Sequence, residues 1–174
     1  MSGGRARRLR LVGTVEHRHE ADDLLAGAGD AVLVERGCLR SMAIACPDGC
    51  GAVLTVNLDG RAGPAWRIWR EPRGLTLFPS VWRDSGCKAH FIVWRDHLIW
   101  CDRGWSADEP DNDVRVDPLV LGHLDPTTFR SADDIAEVIG EIPWEVRRAA
   151  DRLVARGLAT SAKVGRERVY RLPN

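Results

Sequence analysis

Two short stretches, Cys46-Pro47-Asp48-Gly49-Cys50-Gly51 and Cys87-Lys88-Ala89-His90, decide how the first half of this chain is interpreted. In the first stretch, Pro and Gly favour a tight turn, so that both thiols can face one ion from a single loop. The second stretch follows the turn Asp84-Ser85-Gly86 and again brings two metal-binding residue types into one bend. Such close ligand spacing is typical of zinc knuckles. The sequence therefore predicts one zinc ion held between two loops.

The predicted ligands are Cys46, Cys50, Cys87 and His90, and Cys101 is the alternative to His90. The competing interpretation is a set of buried thiols and a core histidine, because free Cys often behaves as a small apolar group. The paired spacing on both sides argues against it. A closed shell of four protein ligands makes a zinc site structural, whereas three ligands leave a place for a reactive water. Both kinds of site stay open at this point.

Composition narrows the class of protein further. The 174 residues carry 25 Lys and Arg against 25 Asp and Glu, so there is no global positive field and any basic site must be local. The first ten residues are followed by no apolar run long enough for a signal peptide or membrane helix, so we expect a cytoplasmic protein without a membrane partner. In that reducing compartment, five clustered cysteines indicate metal binding rather than disulfides. Oligomeric state is left open.

Short apolar runs bounded by turn residues predict a β-rich zinc-binding domain over residues 1–105. A short helix is predicted over His17–Leu25, and Arg95-Asp96-His97 is expected to form a tight hairpin connection. The predicted strands are Leu9–Val15, Ala31–Glu35, Ser41–Ala45, Val53–Leu58, Trp66–Trp69, Leu75–Phe78, Phe91–Trp94 and Leu98–Cys101.

The second half follows a polar, acidic stretch, residues 106–114, which is predicted to be a linker. Apolar residues at helical spacing then predict helices over Asp117–Leu124, Ser131–Ile139 and Pro143–Arg156. A hairpin around Val164-Gly165-Arg166 follows them. The predicted fold class is therefore α+β, with a small antiparallel β-rich zinc-binding domain followed by a C-terminal winged helix-turn-helix domain over residues 115–174.

The predicted winged helix offers a nucleic-acid or partner-binding face. Trp144, Arg148 and Arg152 are expected on the outside of its third helix, and Arg166 and Arg168 lie in the hairpin. In a DNA-binding protein of this type the helix enters the major groove and the hairpin arginines contact phosphates. The domain carries ten basic and nine acidic side chains, however, so the electrostatic contribution to DNA binding is small. DNA binding and protein binding both stay open.

Two residues beside the predicted ligands are candidates for catalysis. Asp48 lies inside the first stretch and Ser85 just before the second, where either can handle a proton beside a zinc-activated water or itself act as nucleophile. The alternative for both is turn chemistry, because Asp and Ser readily bond local backbone in tight turns.

Several short elements occur in a fixed order between Met42 and Cys101. They are Cys-Pro-x-Gly-Cys-Gly, a Trp-rich strand, Pro79-Ser80, Cys-x-x-His followed by Phe91, and a hairpin that ends in Trp100. This combination resembles a bacterial family of unknown function whose members are often encoded beside ubiquitin-like modifiers and their activating and conjugating enzymes. The resemblance implies a zinc-bearing domain that processes or removes a ubiquitin-like protein, or assists its conjugation. Its expected partners are that ubiquitin-like protein or its conjugating enzymes.

If the domain is a hydrolase, Ser80 and His90 are its simplest nucleophile and base, because acyl transfer needs a hydroxyl activated by a neighbouring imidazole. This pairing requires that His90 does not bind zinc, and the alternative for Ser80 is a solvent-facing strand end. Many relatives carry a further Cys where this chain has Asp48, and Cys101 is the candidate replacement. Three functions therefore remain: a hydrolase of ubiquitin-like conjugates, a non-catalytic adaptor, and a DNA-binding regulator.

Overall fold

Residues 4–102 and 113–174 are described by the computed structural model, in which the chain divides into two units, residues 1–110 and 111–174. The predicted linker, residues 106–114, lies outside the described residues except for its last two positions. In the described ranges, none of the helices combines the length and the apolar character needed to cross a bilayer.

Two four-stranded sheets form the first unit, and each is ordered as its strands follow along the chain. The first sheet contains β1 (Arg10–Val15), β2 (Asp30–Glu35), β3 (Leu39–Ala45) and β4 (Val53–Asn57). The second sheet contains β5 (Arg67–Glu71), β6 (Gly74–Trp82), β7 (His90–Trp94) and β8 (His97–Trp100).

The core of this unit is shared by the two sheets. Residues such as Leu33 and Met42 from the first sheet and Leu77 and Phe91 from the second are fully buried in one cluster. Alternate residues point inward along the strands, but the first sheet is also covered on its other face, where Val32 is buried in a second, smaller cluster. Burial against a common core therefore holds the sheets together and fixes the loops at their ends.

The elements of the first unit lie close to their predicted positions, with three differences. The stretch His17–Leu25 forms only a single 3-10 turn, Arg18–Ala21, because Ala21 is its one buried residue and no apolar stripe supports a longer helix. The pairing of β1 with β2 is parallel rather than antiparallel, which the long connection between them permits. Strand β6 continues four residues beyond its predicted end at Phe78.

The second unit contains α1 (Val116–Leu121), β9 (Arg130–Ser131), α2 (Ala132–Ile139), α3 (Pro143–Ala155), β10 (Thr160–Val164) and β11 (Glu167–Arg171). The strands form a three-stranded sheet in the order β10-β11-β9. Helix α2 begins at a capping box in which the Asp134 N–H donates to Ser131 Oγ at 3.0 Å. The three helices and the hairpin occur in the predicted order, and the mixed α+β class is confirmed. The winged-helix assignment stays a prediction.

Candidate metal centre and serine–histidine pair

Three of the predicted ligands, Cys46, Cys50 and Cys87, lie together at one end of the two sheets. Their sulfur atoms all lie within 4.8 Å of one another. The Cys87 Sγ is 3.6 Å from Cys46 Sγ and 3.4 Å from Cys50 Sγ. In a tetrahedral zinc site with Zn–S bonds of about 2.3 Å, sulfur atoms lie about 3.8 Å apart. The three thiols can therefore hold one metal ion with little movement.

The cluster connects the two sheets. Cys46 and Cys50 lie in the loop between β3 and β4, while Cys87 lies in the loop between β6 and β7. The first loop turns tightly because the Gly49 N–H donates to the Cys46 carbonyl at 3.0 Å and Gly49 adopts a φ of +78°. In the second loop Lys88 adopts a φ of +53° as its N–H donates to the Ser85 carbonyl.

Arg83 is part of this cluster, although the sequence analysis did not single it out. Its Nη1 lies 3.1 Å from Cys50 Sγ and 3.5 Å from Cys87 Sγ. Gly86 makes room for this guanidinium, since a Cβ at that position would lie 2.8 Å from Arg83 Nη2. Three thiolates around a divalent ion carry one net negative charge, which one arginine neutralises. The sequence feature that could have identified Arg83 is its position four residues before Cys87.

Local environment shifts the pKa values of the Cys46 and Cys87 thiols in opposite directions. Burial raises the pKa of Cys46 to about 12, and hydrogen bonds with the Cys50 and Cys87 thiols act in the same direction. Burial also acts to raise the pKa of Cys87, but the Ala89 N–H, the two neighbouring thiols and Arg83 together bring it below its ordinary value. Cys87 is therefore the thiol of this pair that gives up its proton more easily to a metal.

His90 and Cys101 lie outside the cysteine cluster. The His90 Nε2 is 3.0 Å from the Ser80 Oγ, within hydrogen-bonding distance. Cys101 is exposed, and its backbone N–H donates to the His90 carbonyl at 3.0 Å. The structure thus brings together three of the five predicted ligands and pairs His90 with the predicted nucleophile instead. A fourth ligand from His90 or Cys101 stays a prediction.

Ser80 is positioned by an irregularity in β6. Leu77 pairs with Val93 and Val81 pairs with Phe91, so three residues of β6 lie opposite a single residue of β7. Such bulges re-aim side chains and are common beside active sites. The Trp66 Nε1–H donates to the Ser80 carbonyl at 3.3 Å and fixes the bulge from the side of β5.

The serine–histidine pair lies on the face of the second sheet that points away from the core. Val81 and Phe91 are buried in the core, and the alternating residues Ser80, Trp82 and His90 therefore point to the opposite side. The Trp82 side chain is 66% exposed, and its ring centroid lies 6.1 Å from that of His90. Within the described residues, His90 has no carboxylate hydrogen-bond partner, so the arrangement is a pair rather than a triad.

The other two catalytic candidates make contacts of a different kind. Asp48 accepts a hydrogen bond from Arg5 Nε at 2.8 Å, and Arg5 also contacts Asp102 at 2.7 Å. The guanidinium of Arg5 lies 4.2 Å from the ring centroid of Trp100. Ser85 contributes its carbonyl to the turn before Cys87. These contacts are structural, and catalytic roles for Asp48 and Ser85 stay predictions.

In the second unit, the prediction that Trp144 lies on the outer face of α3 is wrong. Trp144 is only 7% exposed, because the start of α3 is buried on more than one side and not along a single stripe. Arg152 is half-buried, and its Nε donates to Asp117 at 3.0 Å. Arg148 is half-buried as well, whereas Arg166 and Arg168 are exposed in the hairpin. Binding roles for these five residues stay predictions.

Residues 16–101 match the model of one protein family, the bacterial ubiquitination-like system serine protease (BubE). The matched segment contains the cysteine cluster, Ser80 and His90. It associates this part of the chain with a bacterial ubiquitination-like system, as the resemblance in the sequence implied. No curated protein and no solved structure matches the chain.

Proposed function

We propose that the chain is a zinc-supported serine peptidase of a bacterial ubiquitination-like system, with Ser80 as nucleophile and His90 as general base. The observation that carries the proposal is the 3.0 Å distance between Ser80 Oγ and His90 Nε2. A base within hydrogen-bonding reach of a hydroxyl is the geometry that activates a serine for acyl transfer. The matched family is described by the same reaction class.

The reaction follows from these two side chains. As Ser80 Oγ attacks the carbonyl carbon of the scissile bond, its proton passes to His90 Nε2. The protonated His90 then donates that proton to the leaving group, and the substrate acyl group stays on Ser80 as an ester. A water that loses its proton to His90 hydrolyses the ester and restores Ser80.

The cysteine cluster has a structural part in this proposal. Thiolate ligands favour zinc, and four-coordinate sites that hold their ion firmly stabilise the surrounding loops. Cys87 lies three residues before His90. In the segment that joins these two residues, the Ala89 carbonyl accepts a hydrogen bond from the Arg83 N–H at 2.8 Å. A metal on Cys46, Cys50 and Cys87 therefore holds the segment that leads into β7 and keeps His90 beside Ser80.

The substrate in this proposal is a ubiquitin-like protein, free as a precursor or joined to a target, because the matched family acts in a ubiquitination-like system. Trp82 supplies an apolar surface for it beside the reacting pair. Among the described tryptophans, Trp82 alone is largely exposed, and burial of an exposed aromatic ring is a common source of binding energy at interfaces.

The decisive experiment uses the full chain and a fusion of the ubiquitin-like protein from the same gene neighbourhood to a fluorescent reporter. We expect the wild-type protein to cleave the fusion at the end of the ubiquitin-like part. Ser80→Ala and His90→Gln should each lower kcat/KM by about a thousandfold or more, as removal of a nucleophile or base does elsewhere.

Ser85→Ala tests the other candidate serine. With Ser80 as the nucleophile, this variant should leave cleavage unchanged. A fluorophosphonate probe gives a second measurement that needs no substrate, because it labels an activated serine, and mass spectrometry should find the label on Ser80. Wild-type cleavage by Ser80→Ala would overturn the proposal. Tight binding of the fusion without any cleavage would instead favour a non-catalytic adaptor.

A further inference from the structure

Charge is distributed unevenly within the second unit. Residues 147–171 contain eight Arg and Lys but only two Asp and Glu, whereas residues 115–146 contain two basic and seven acidic side chains. The balanced total therefore hides a basic segment, which covers most of α3 and the whole β10–β11 hairpin. This segment has no part in the proposed peptidase chemistry.

The basic residues converge on one concavity of about 460 Å³. It is lined by Arg147 from α3 and by Ser161, Ala162, Lys163, Arg166 and Arg168 from the hairpin. Arg168 is held in place, since its guanidinium contacts Asp151 at 3.0 Å and Ser161 Oγ at 2.9 Å. Arg147, Lys163 and Arg166 make no ion pair within the described residues. These three cations can therefore contact a ligand, and they surround Arg168, whose orientation is already fixed.

The hairpin register increases the local positive charge. Lys163 lies directly opposite Arg168 in the β10–β11 pair. Like charges at such positions are destabilising, so this pairing has a cost in the free protein. An anion bound between the two strands and α3 would remove that cost.

The chemistry of the lining favours phosphate over a protein surface. It contains three arginines, whose planar guanidinium groups match phosphate oxygens, and no aromatic or large aliphatic anchor of the kind that dominates protein interfaces. The start of α3, which would have to read base edges, is occupied by the buried residues Trp144 and Glu145. We propose that this concavity binds the sugar–phosphate backbone of nucleic acid without reading its sequence.

Fluorescence anisotropy tests the proposal with the full chain and two 30-base-pair DNA duplexes of unrelated sequence. We expect both duplexes to bind with similar affinity at low salt. Four phosphate contacts predict that the logarithm of the association constant falls with the logarithm of salt concentration with a slope of about −3.6.

The variant is Lys163→Glu with Arg166→Glu, two exposed positions whose reversal should weaken binding at least about tenfold and flatten the salt dependence. Its matched control is Arg36→Glu with Arg70→Glu, which makes the same change in net charge on exposed residues of the first unit. Thermal melting verifies that both double variants fold, and Arg147→Gln provides an independent third variant with a smaller expected loss.

Three outcomes would overturn the proposal. The first is an affinity that the hairpin variant and the control reduce equally, because the effect would then reflect net charge alone. The second is preference for one duplex by more than tenfold, since that requires base reading. The third is no duplex binding even at low salt, in particular if the hairpin variant instead loses binding to the ubiquitin-like protein, which would assign the concavity to an acidic protein partner.

Discussion

The cysteine cluster and the Ser80–His90 pair lie in the same unit but are built in different ways. The cluster is formed by two loops, from different sheets, that contact each other through their thiols and Arg83. The pair stands on β6 and β7, which are hydrogen-bonded neighbours over a shared core. This difference in construction indicates which site depends on the other. In the proposed site a metal ion holds the two loops together, whereas the strands can form without one. We therefore expect loss of metal to disturb His90 more than loss of Ser80 disturbs the metal.

Of the variants that separate the two sites, Cys87→Ser is expected to have the largest effect. We predict loss of bound zinc, a melting temperature lowered by about 8 °C or more, and peptidase activity reduced by at least a hundredfold. Activity falls because the segment that leads into His90 is no longer held. Metal analysis, thermal melting and the fusion assay measure the three effects.

The control for Cys87→Ser is Cys38→Ser, a free cysteine outside the cluster and outside the predicted ligand set, which should retain its zinc. A full equivalent of zinc in Cys87→Ser would contradict the proposed ligand set. Loss of zinc in Cys101→Ser would identify Cys101 as a fourth ligand. Ser80→Ala completes the comparison, because it should abolish cleavage while zinc content and melting temperature stay at wild-type values.

Arg83→Gln should have a smaller effect on the same cluster. Removal of the guanidinium leaves the net negative charge of three thiolates and a divalent ion uncompensated, so we expect zinc affinity to fall about ten- to a hundredfold, as for other residues that support metal ligands. Competition with a chromophoric chelator measures this change. Arg83→Lys should recover part of the affinity because it restores the charge, and equal losses in both variants would show that charge is not the cause.

Trp82→Ala should have the smallest of these effects. It tests the surface beside the Ser80–His90 pair and leaves the cysteine cluster unchanged. We expect KM for the fusion to rise about tenfold while kcat stays within about twofold, because the proposed role of Trp82 is to contact the substrate and not to transfer a proton. Trp82→Phe should recover most of the affinity. Leu11→Ala, an exposed apolar position on β1, is the control. A drop in kcat with unchanged KM would instead assign Trp82 a role in orienting His90.

Much of the fold could be predicted from local pattern. Short apolar runs bounded by turn residues located all eight strands of the first unit, because turn residues mark where each strand ends. The turn at Arg95-Asp96 and the capping box at Ser131 were also predictable, since each depends only on neighbouring residues. The three cysteines of the cluster were found in the same way, as spacing within two loops.

The remaining features depend on residues that are distant in sequence. The bulge before Val81 is a property of the register between β6 and β7, and no local pattern specifies it. Without that register the proximity of Ser80 and His90 could only be suggested by resemblance, with His90 also counted as a metal ligand. Burial of Trp144 likewise depends on what packs around the start of α3. Arg83 was missed because a single arginine in a turn is usually a solvated charge.

The two halves of the cysteine cluster are distant in sequence, since Cys87 lies 41 positions after Cys46. An unfolded chain seldom brings such distant thiols together, so a zinc ion held by this cluster binds almost exclusively to the folded form. By mass action, each tenfold rise in free zinc above the dissociation constant then adds about 1.4 kcal/mol to the free energy of unfolding. With zinc bound as proposed, the midpoint of unfolding of this unit is therefore a function of zinc supply, and a cell poor in zinc would hold the same polypeptide in a less stable fold.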